Sequence, residues 1–519
     1  MNHDFKSYLD TTGEVGFVNK TVSSLVYTDG LPGAKLEELV VFESGGVGQV
    51  AALGPFGVEI FSFSNYPIAV GTRVARTDKE LEIPVGEEFL GKVINPLGDS
   101  FDPTQTMPVS EEVRHVDTLP LGVGSRSRIK RQCETGVTLV DLVFPIGKGQ
   151  RELIIGDQKT GKSYLLWRMM LSQVKAGTVG IYALVGKGKA VIKRLEQSFR
   201  EAGVFDGMIF VATSSDDSSG LTYLAPYSAM AMAEYFRDKG RDVLVVFDDL
   251  SAHAKAYREI SLLAKKFPGR NSYPGDIFYV HSKLLERAGN FLGPKGDVSI
   301  TCLPVVETAY GDITGYIQTN AMSMTDGHLF FDRTLFIEGR RPAIDPFRSV
   351  TRVGRQTQNA LRRQIGRTLL TFFQKTARLH SLASFETELG ERVAADLKKE
   401  KRLLQIFDQT AYDLIAFNLQ VLLFGLAWGD FWQGKTEDEV RLEIQKMVFA
   451  YESRADIRKK IDLLVEECGS LEALLARIKN FQLPWTDWGE DSLGWSKSPE
   501  SKQSLKPPGP KNSLDKNNS

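Results

Sequence analysis

The amino-acid sequence predicts three regions in order: a small antiparallel β domain, a parallel α/β domain and an α-helical domain. The chain has 519 residues, more than a single hydrophobic core usually serves. The spacing of its apolar residues changes character near residue 78 and again near residue 356. We therefore predict domains at residues 1–78, 79–355 and 356–487, followed by a tail at 488–519.

The first region alternates short β-branched segments with turn signals. Between Val15 and Ala75 these signals are Asp29-Gly30, Gly45-Gly46 and Gly54-Pro55, which recur at about the length of a strand. This pattern is typical of a small antiparallel barrel or sandwich.

The middle region alternates apolar strand-like segments with helix-like ones. The strand-like segments are Leu153–Ile155, Val179–Val185, Met208–Ala212, Val243–Phe247 and Ile300–Val306. Such alternation indicates a parallel sheet that helices cover on both faces. A glycine- and proline-rich segment, Pro84 to Asp102, precedes this region and leads into a polar connector.

The third region has helical periodicity and few strand signals. A capping box at Thr436 to Glu439 predicts the start of one helix. The most apolar segment, Leu414 to Trp432, contains Asn418, Gln420 and Asp430, so we predict a buried helix rather than a membrane span. The tail, rich in proline, lysine and serine from Ser496, is predicted to be disordered.

Composition excludes several classes of protein. The chain has 64 basic and 65 acidic residues, so no overall field favours nucleic acid. Cys133, Cys302 and Cys468 lack the spacing of a zinc site and are predicted to be free thiols in a reducing compartment. The N-terminus resembles neither a secretory signal nor a transit peptide, so we expect a cytoplasmic location, with any membrane role reached through partners.

One motif predicts phosphate binding. A segment of the form GxxxxGK[ST] lies between the strand Arg151 to Ile155 and a helix that continues from Tyr164; its residues are Gly156, Asp157, Gln158, Lys159, Thr160, Gly161, Lys162 and Ser163. Glycines let backbone N–H groups surround a phosphate, and the helix N-terminus adds positive charge. We expect Lys162 to reach the β- and γ-phosphates of ATP, or the β-phosphate of ADP, and the Ser163 hydroxyl to bind Mg²⁺.

A second motif predicts the other half of the metal site. The apolar strand Val243 to Phe247 ends in Asp248-Asp249, and Asp248 is predicted to hold Mg²⁺ through its water shell. Alone, such a pair is more often a strand followed by a helix cap. The phosphate loop upstream favours the metal-binding interpretation.

Longer segments carry a resemblance to a known family. RELIIGDQKTGKS, VLVVFDDLS, PGRNSYPGDIFYVHSKLLERA, LPVVETAYGDITGYIQTNAMSMTDG and RPAIDPFRSVTRVG resemble the alpha subunit of rotary F-type ATP synthases. The likeness runs from about Val15 to Gly354 and weakens through the helical region. It implies an N-terminal β-barrel, a RecA-like nucleotide-binding domain and a C-terminal helical domain. It also implies three copies that alternate with three catalytic beta subunits around a gamma-type shaft, with a peripheral stalk and an ion-translocating membrane sector.

The resemblance also predicts which kind of subunit this is. Catalytic members of the superfamily carry a Gly-Glu pair after the strand that follows the phosphate-loop helix, and the glutamate orients the attacking water. The corresponding segment here contains Gly186 and Lys187. A lysine cannot orient water in this way, although its charge could hold the γ-phosphate in an unreactive state. We therefore expect nucleotide binding without efficient turnover.

Two further residues are assigned by the resemblance. Arg352 matches the arginine finger that projects into the neighbouring beta subunit's site. The alternative is a surface arginine in a basic patch with Arg348 and Arg355. Gln409 is the one candidate for an adenine contact in the helical region.

The sequence departs from the family in two places. Gln158-Lys159 replaces the usual Arg-Gln of the alpha phosphate loop, and only about a dozen residues precede the barrel, which leaves the docking of the stalk open. Together with the divergent C-terminal half, these departures resemble those of an alternate, sodium-translocating type of F-type ATPase. The sequence does not distinguish a proton from a sodium ion as the coupling ion.

Three other functions fit parts of the sequence. A self-sufficient hexameric ATPase of the flagellar or secretion type is disfavoured by Lys187. A Rho-like helicase needs a basic, aromatic barrel surface, whereas Lys20, Lys35 and Arg73 are scattered along the barrel sequence. Its aromatic residues, Phe17, Tyr27 and Phe61, are predicted to be core residues. A third interpretation is a purely structural subunit in which Arg352 has no role.

Overall fold

The chain folds into the three predicted regions. The structure is a computed structural model, and it describes residues 4–55, 57–294, 296–383, 391–409 and 414–481. They form a closed barrel, an α/β region around a nine-stranded sheet and a group of helices. The predicted fold class is confirmed, while the exact domain boundaries stay a prediction. The tail that we predict to be disordered, residues 488–519, lies outside the described residues.

The N-terminal region is a closed six-stranded antiparallel barrel with strand order β1-β2-β5-β4-β3-β6. A short helix, α1 (Phe5–Thr12), precedes it and ends at Gly13 in the left-handed conformation. The strands are β1 (Val15–Val22), β2 (Leu25–Asp29), β3 (Glu38–Phe42), β4 (Val47–Gly54), β5 (Gly57–Ser62) and β6 (Arg73–Glu80). Strand β6 pairs with both β3 and β1 and closes the barrel.

The prediction that three barrel aromatics lie in the core is wrong. Phe17 is 48% exposed, and Tyr27 and Phe61 are only partly buried. Phe17 alternates along β1 with the buried residues Gly16 and Val18, so its side chain points away from the interior. The barrel is filled instead by aliphatic residues and Phe42.

The α/β region contains most of the secondary structure. Its strands are β7 (Glu82–Pro84), β8 (Lys92–Ile94), β9 (Val113–His115), β10 (Gln132–Cys133), β11 (Ile146–Gly147), β12 (Glu152–Gly156), β13 (Val179–Lys187), β14 (Met208–Ser214), β15 (Val243–Asp248), β16 (Gly289–Gly293), β17 (Gly296–Glu307), β18 (Gly327–Phe331) and β19 (Val350–Thr351). Its helices are α2 (Thr138–Val143), α3 (Lys162–Lys175), α4 (Lys189–Glu201), α5 (Ser219–Asp238), α6 (Leu250–Leu263), α7 (Ile277–Glu286), α8 (Tyr316–Met324) and α9 (Arg333–Ile337). All five strands predicted here are present.

The central sheet has the order β19-β18-β12-β17-β15-β13-β14-β8, and strands β18 through β8 run parallel. Its two faces pack into separate cores: Tyr182 and Leu184 face the core that holds α3, whereas Ile181 and Ala183 face the core that holds α5. The prediction of a sheet covered on both faces is confirmed. The edge strand β8 lies within the glycine- and proline-rich segment and was not predicted.

The C-terminal region is helical, as predicted. Its helices are α10 (Ala360–Ala383), α11 (Glu391–Phe407), α12 (Phe417–Trp428), α13 (Glu437–Ser453), α14 (Ala455–Glu466) and α15 (Leu471–Lys479). Helix α12 is apolar around its whole circumference because α11, α14 and α15 all pack against it. Within the described ranges, no helix is long and apolar enough to cross a membrane.

The capping box of α13 gives a test of local stability. Thr436 accepts a hydrogen bond from the backbone N–H of Glu439, and the Glu439 carboxylate accepts one from the backbone N–H of Thr436. We expect Thr436→Ala to destabilise the first turn of α13 by about 1 kcal/mol. Amide exchange in that turn should become about fivefold faster, and Thr436→Ser, which keeps the hydroxyl, should change it little. Equal exchange in all three proteins would contradict a stabilising cap.

Candidate functional site

The phosphate loop connects β12 to α3, and its conformation depends on two glycines. Gly156 has φ 155°, and an added Cβ would lie 2.4 Å from the carbonyl oxygen of Phe331 in the neighbouring strand. Gly161 has φ 95° immediately before α3. Both positions therefore require glycine, which explains the spacing of the motif.

The loop is held by the segment that follows β17. One oxygen of the Asp157 carboxylate accepts hydrogen bonds from the Thr308 hydroxyl at 2.5 Å and from the Gly311 backbone N–H at 2.8 Å. The Thr160 hydroxyl donates to the Asp157 carbonyl at 2.7 Å. The Gln158 amide donates to Glu307 at 2.8 Å. These bonds hold the loop in shape without a ligand.

Lys162 and Ser163 are the first two residues of α3, at the end of the helix that would face a bound phosphate. The Lys162 ammonium is buried and donates to the carbonyls of Gly156 and Asp157 at 2.8 and 2.6 Å. Burial lowers the pKa of Lys162, and the carboxylates of Glu307, Asp248 and Asp249 oppose that effect. Lys159 and Ser163 are exposed, so the loop presents an ammonium and a hydroxyl at its surface.

The predicted carboxylate pair lies where β15 ends, beside the phosphate loop. Asp248 is the last residue of β15, and Asp249 caps α6 by accepting from the Ala252 N–H at 2.6 Å. Asp248 also accepts a hydrogen bond from the Tyr182 hydroxyl at 3.1 Å. The helix-cap alternative therefore applies to Asp249 and leaves Asp248 facing the site.

Lys187 reaches both carboxylates from the end of β13. Its ammonium lies 2.7 Å from Asp248 Oδ1 and 3.3 Å from Asp249 Oδ2. Gly186, with φ 62°, precedes it and turns the end of the strand. Burial acts to lower the pKa of Lys187, but the two carboxylates outweigh burial and hold that pKa well above its usual value. Lys187 is therefore a permanent cation at neutral pH.

The predicted magnesium ligand Asp248 is thus already paired with a cation. Among the described residues, no group of three or more His, Cys, Asp or Glu side chains could hold a metal ion. Magnesium held by Asp248, directly or through water, would compete with the Lys187 ammonium for the charge of this carboxylate, and Ser163 would be the remaining predicted ligand. The residues present do not fit a magnesium ion in this arrangement.

Arg352 lies near the N-terminal ends of β12 and β18, whereas this chain's own phosphate loop lies at the C-terminal end of β12. It follows β19, whose Thr351 faces Gly327; Gly327 in turn faces Glu152, the first residue of β12. The loop leaves the far end of β12, about 13 Å away at the usual rise of a strand. Arg352 is an exposed residue, and its guanidinium donates to the Thr325 carbonyl at 3.1 Å.

Gln409 follows α11 and is joined to the start of α2, and its backbone N–H donates to the Arg341 carbonyl at 2.9 Å. Its side-chain oxygen accepts from the Thr138 N–H at 2.8 Å, and its amide donates to the Gly136 carbonyl at 3.0 Å. The residue is 3% exposed. Its role as an adenine contact stays a prediction, and the structure shows a bond between α2 and the helical region.

Sequence reasoning missed three residues of the site: Tyr182, Glu307 and Thr308. Tyr182 lies inside an apolar strand, where a tyrosine gives no signal of a polar contact. Glu307 and Thr308 follow an apolar strand, β17, whose carboxyl end meets the loop because β12 and β17 are parallel neighbours. That topology would have been the only signal for them.

A cleft of about 620 Å³ opens beside the loop. Its lining includes Asp157, Gln158 and Glu307 together with three basic side chains, Lys255, Arg258 and Arg333. Tyr310, which is 94% exposed, lies on its wall. The cleft therefore combines positive charge and an exposed aromatic next to the phosphate loop.

Fold and site together define a P-loop nucleotide-binding protein with a parallel α/β core. Known proteins narrow this class. A sequence model of the ATP synthase alpha/beta family, nucleotide-binding domain, matches residues 136–351. ATP synthase subunit alpha of Lactobacillus helveticus (strain DPC 4571) is 37% identical over 473 residues, which are 90% of this chain and 93% of that protein. ATP synthase subunit alpha of Staphylococcus aureus (strain JH9) is 38% identical over 421 residues, 81% of this chain and 84% of that protein. The chain belongs to the ATP synthase alpha-subunit family, which confirms the resemblance stated above.

The anchoring of the loop can be tested at Thr308. We expect Thr308→Val to remove the hydroxyl that donates to Asp157 and to cost about 1.5–3 kcal/mol of local stability, as for hydrogen bonds to charged groups. Amide exchange in residues 156–161 should accelerate. Thr314→Val is the matched control, because the Thr314 hydroxyl donates to Asp312 at the exposed end of the same connection. Acceleration by both variants, or by neither, would contradict a specific anchor.

Proposed function

We propose that this chain is the non-catalytic, regulatory nucleotide-binding alpha subunit of a rotary F-type ATP synthase. Such a complex makes ATP from ADP and phosphate with a transmembrane proton or sodium gradient, or runs in reverse. The observation that carries the proposal is the Lys187 ammonium bound to Asp248 and Asp249 beside an intact phosphate loop. Membership of the alpha-subunit family supports it. No observation on the described residues favours the flagellar or secretion ATPase.

Nucleotide binding is supported by the shape of the loop. Its backbone is set by Gly156 and Gly161 and anchored through Asp157, so little ordering remains to be done when a phosphate enters. The N-terminus of α3 and the Lys162 ammonium supply positive charge. Either ATP or ADP satisfies this arrangement.

Weak turnover by the isolated chain is expected from the positive charge of Lys187. Hydrolysis needs a carboxylate or similar group to orient and deprotonate the attacking water. Lys187 stands where a catalytic subunit carries that carboxylate, and its raised pKa keeps it protonated at neutral pH. A protonated lysine donates hydrogen bonds and accepts none, so it cannot take a proton from water.

Arg352 is proposed to act on a neighbouring subunit. It is exposed and lies at the opposite edge of the sheet from the chain's own loop. A guanidinium presented there can stabilise charge on a phosphoryl group held by a beta subunit, as arginine fingers do. The basic-patch alternative predicts no special role for position 352.

The proposed partners are catalytic beta subunits in an alternating three-plus-three ring, a gamma-type shaft and a peripheral stalk. Phe267 and Tyr310 are 97% and 94% exposed, and exposed aromatics of this kind are enriched in protein interfaces. The complex would lie at the cytoplasmic face of the cell membrane and meet the bilayer only through its ion-translocating sector. Nucleic acid is not a proposed partner.

The first test separates binding from turnover. We expect the purified chain to bind ADP and ATP in equilibrium titrations with negligible phosphate release, and Lys162→Gln to weaken binding by about tenfold or more. Addition of the catalytic beta subunit and shaft should produce strong hydrolysis. Robust hydrolysis by the isolated chain would contradict the proposal and favour a self-sufficient hexameric ATPase.

The second test concerns Arg352. In the reconstituted complex, Arg352→Ala should lower hydrolysis by about a thousandfold or more, as for other arginine fingers. Arg352→Lys should recover little of it, because lysine keeps the charge but lacks the planar fork.

The matched control for this test is Arg355→Ala, which removes a neighbouring arginine of the same basic patch. We expect it to retain most of the activity. Equal losses in the two alanine variants would favour the basic-patch alternative, and unchanged activity in Arg352→Ala would contradict the finger.

A further inference from the structure

All four carboxylate oxygens at the carboxyl end of β15 already have protein donors. Asp248 Oδ1 pairs with the Lys187 ammonium at 2.7 Å, and Asp248 Oδ2 accepts from the Tyr182 hydroxyl at 3.1 Å. Asp249 Oδ1 accepts from the Ala252 N–H at 2.6 Å, and Asp249 Oδ2 lies 3.3 Å from the Lys187 ammonium. No oxygen of this pair is left without a donor.

Lys187 is held by two carboxylates that are largely buried. Its side chain is 23% exposed, and those of Asp248 and Asp249 are 12% and 8% exposed. Ion pairs that are partly withdrawn from water are stronger than exposed ones because solvent screens them less. The ammonium also contacts two carboxylates at once, so leaving Asp248 means leaving Asp249 as well.

A magnesium ion would need the carboxylate of Asp248, which Lys187 already contacts. Magnesium at a phosphate loop is held by carboxylate oxygens, directly or through water, and by phosphate oxygens in near-octahedral geometry. An ammonium 2.7 Å from Asp248 Oδ1 offsets the carboxylate charge that would attract the ion. Of the predicted ligands, only the exposed Ser163 hydroxyl remains.

We propose that the Lys187 ammonium takes the place of the divalent cation at Asp248, so that this site binds a nucleoside di- or triphosphate without bound metal. The inference rests on the proposed function, because it concerns nucleotide at the same phosphate loop. The phosphates are met by Lys162, by the N-terminus of α3 and by the exposed Lys159 of the loop. Lys187 then supplies one positive charge where the metal would supply two, and it reduces the repulsion between the two aspartates and the phosphates.

The test compares nucleotide affinity with and without metal in the full chain. We titrate the purified protein with ADP in excess EDTA and in excess Mg²⁺, and we count bound Mn²⁺ by electron paramagnetic resonance with ADP present. For the unaltered chain, the two dissociation constants should agree within about threefold, and Mn²⁺ should bind weakly.

Lys187→Gln should reverse this behaviour. The freed carboxylates would repel phosphate in EDTA and attract metal in its presence. ADP should therefore bind at least about tenfold more weakly than to the unaltered chain in EDTA, and Mg²⁺ should restore much of the loss. Mn²⁺ should bind close to one per nucleotide.

Lys189→Gln is the matched control, because Lys189 lies two residues further on with a side chain that is 63% exposed and 3.9 Å from Asp216. It should behave as the unaltered chain does. Should Lys187→Gln fail to fold, Lys187→Met and the titration of the unaltered chain still decide.

Two results would overturn the inference, and only the second would also overturn the proposed function. Binding of ADP to the unaltered chain that is at least about tenfold tighter with Mg²⁺, with one Mn²⁺ per nucleotide, contradicts the role of Lys187 and leaves the proposed function standing. Absence of ADP binding under both conditions contradicts the proposed function itself, and the inference fails with it.

Discussion

The parallel register of the central sheet is the constraint on which the rest of the site depends. Strands β12, β17, β15 and β13 are neighbours that run in the same direction, so their carboxyl ends meet at one edge. That edge holds the phosphate loop, Glu307, the aspartate pair and Lys187. None of these groups is close to the others along the chain, and each owes its place to strand order.

Charge determines what this edge can do. A phosphate loop is a site for anions, yet two carboxylates and Glu307 lie beside it. Unpaired, they would repel the phosphates that the loop binds. Lys187 places a positive charge against the aspartate pair and so reduces this repulsion; by the family resemblance, it also stands where a catalytic subunit carries the glutamate that orients water. In the function proposed above, this one residue favours nucleotide binding and takes the place of the group that would activate water, and Arg352 acts on a neighbouring subunit.

Local sequence patterns predicted much of this structure. The phosphate loop, the five parallel strands and the capping box of α13 each depend on residues that are close in the chain, so their patterns are sufficient. The contacts of Asp157 with Thr308 and of Asp248 with Tyr182 join segments far apart in sequence, and they could not be predicted before the order of strands was known. The wrong prediction for Phe17 has a related cause. The aromatic character of a side chain alone does not indicate whether it points into a closed barrel or towards solvent.

We infer that Lys187, rather than a metal ion, pairs with the carboxylates beside the bound nucleotide. A high-resolution structure of the assembled complex, prepared with nucleotide and Mg²⁺, tests it most directly. We expect nucleotide phosphates in the loop at residues 156–163, Lys187 within hydrogen-bonding distance of Asp248, and no metal density between Asp248 and the phosphates. A metal ion coordinated there, with Lys187 turned away from both aspartates, would contradict it.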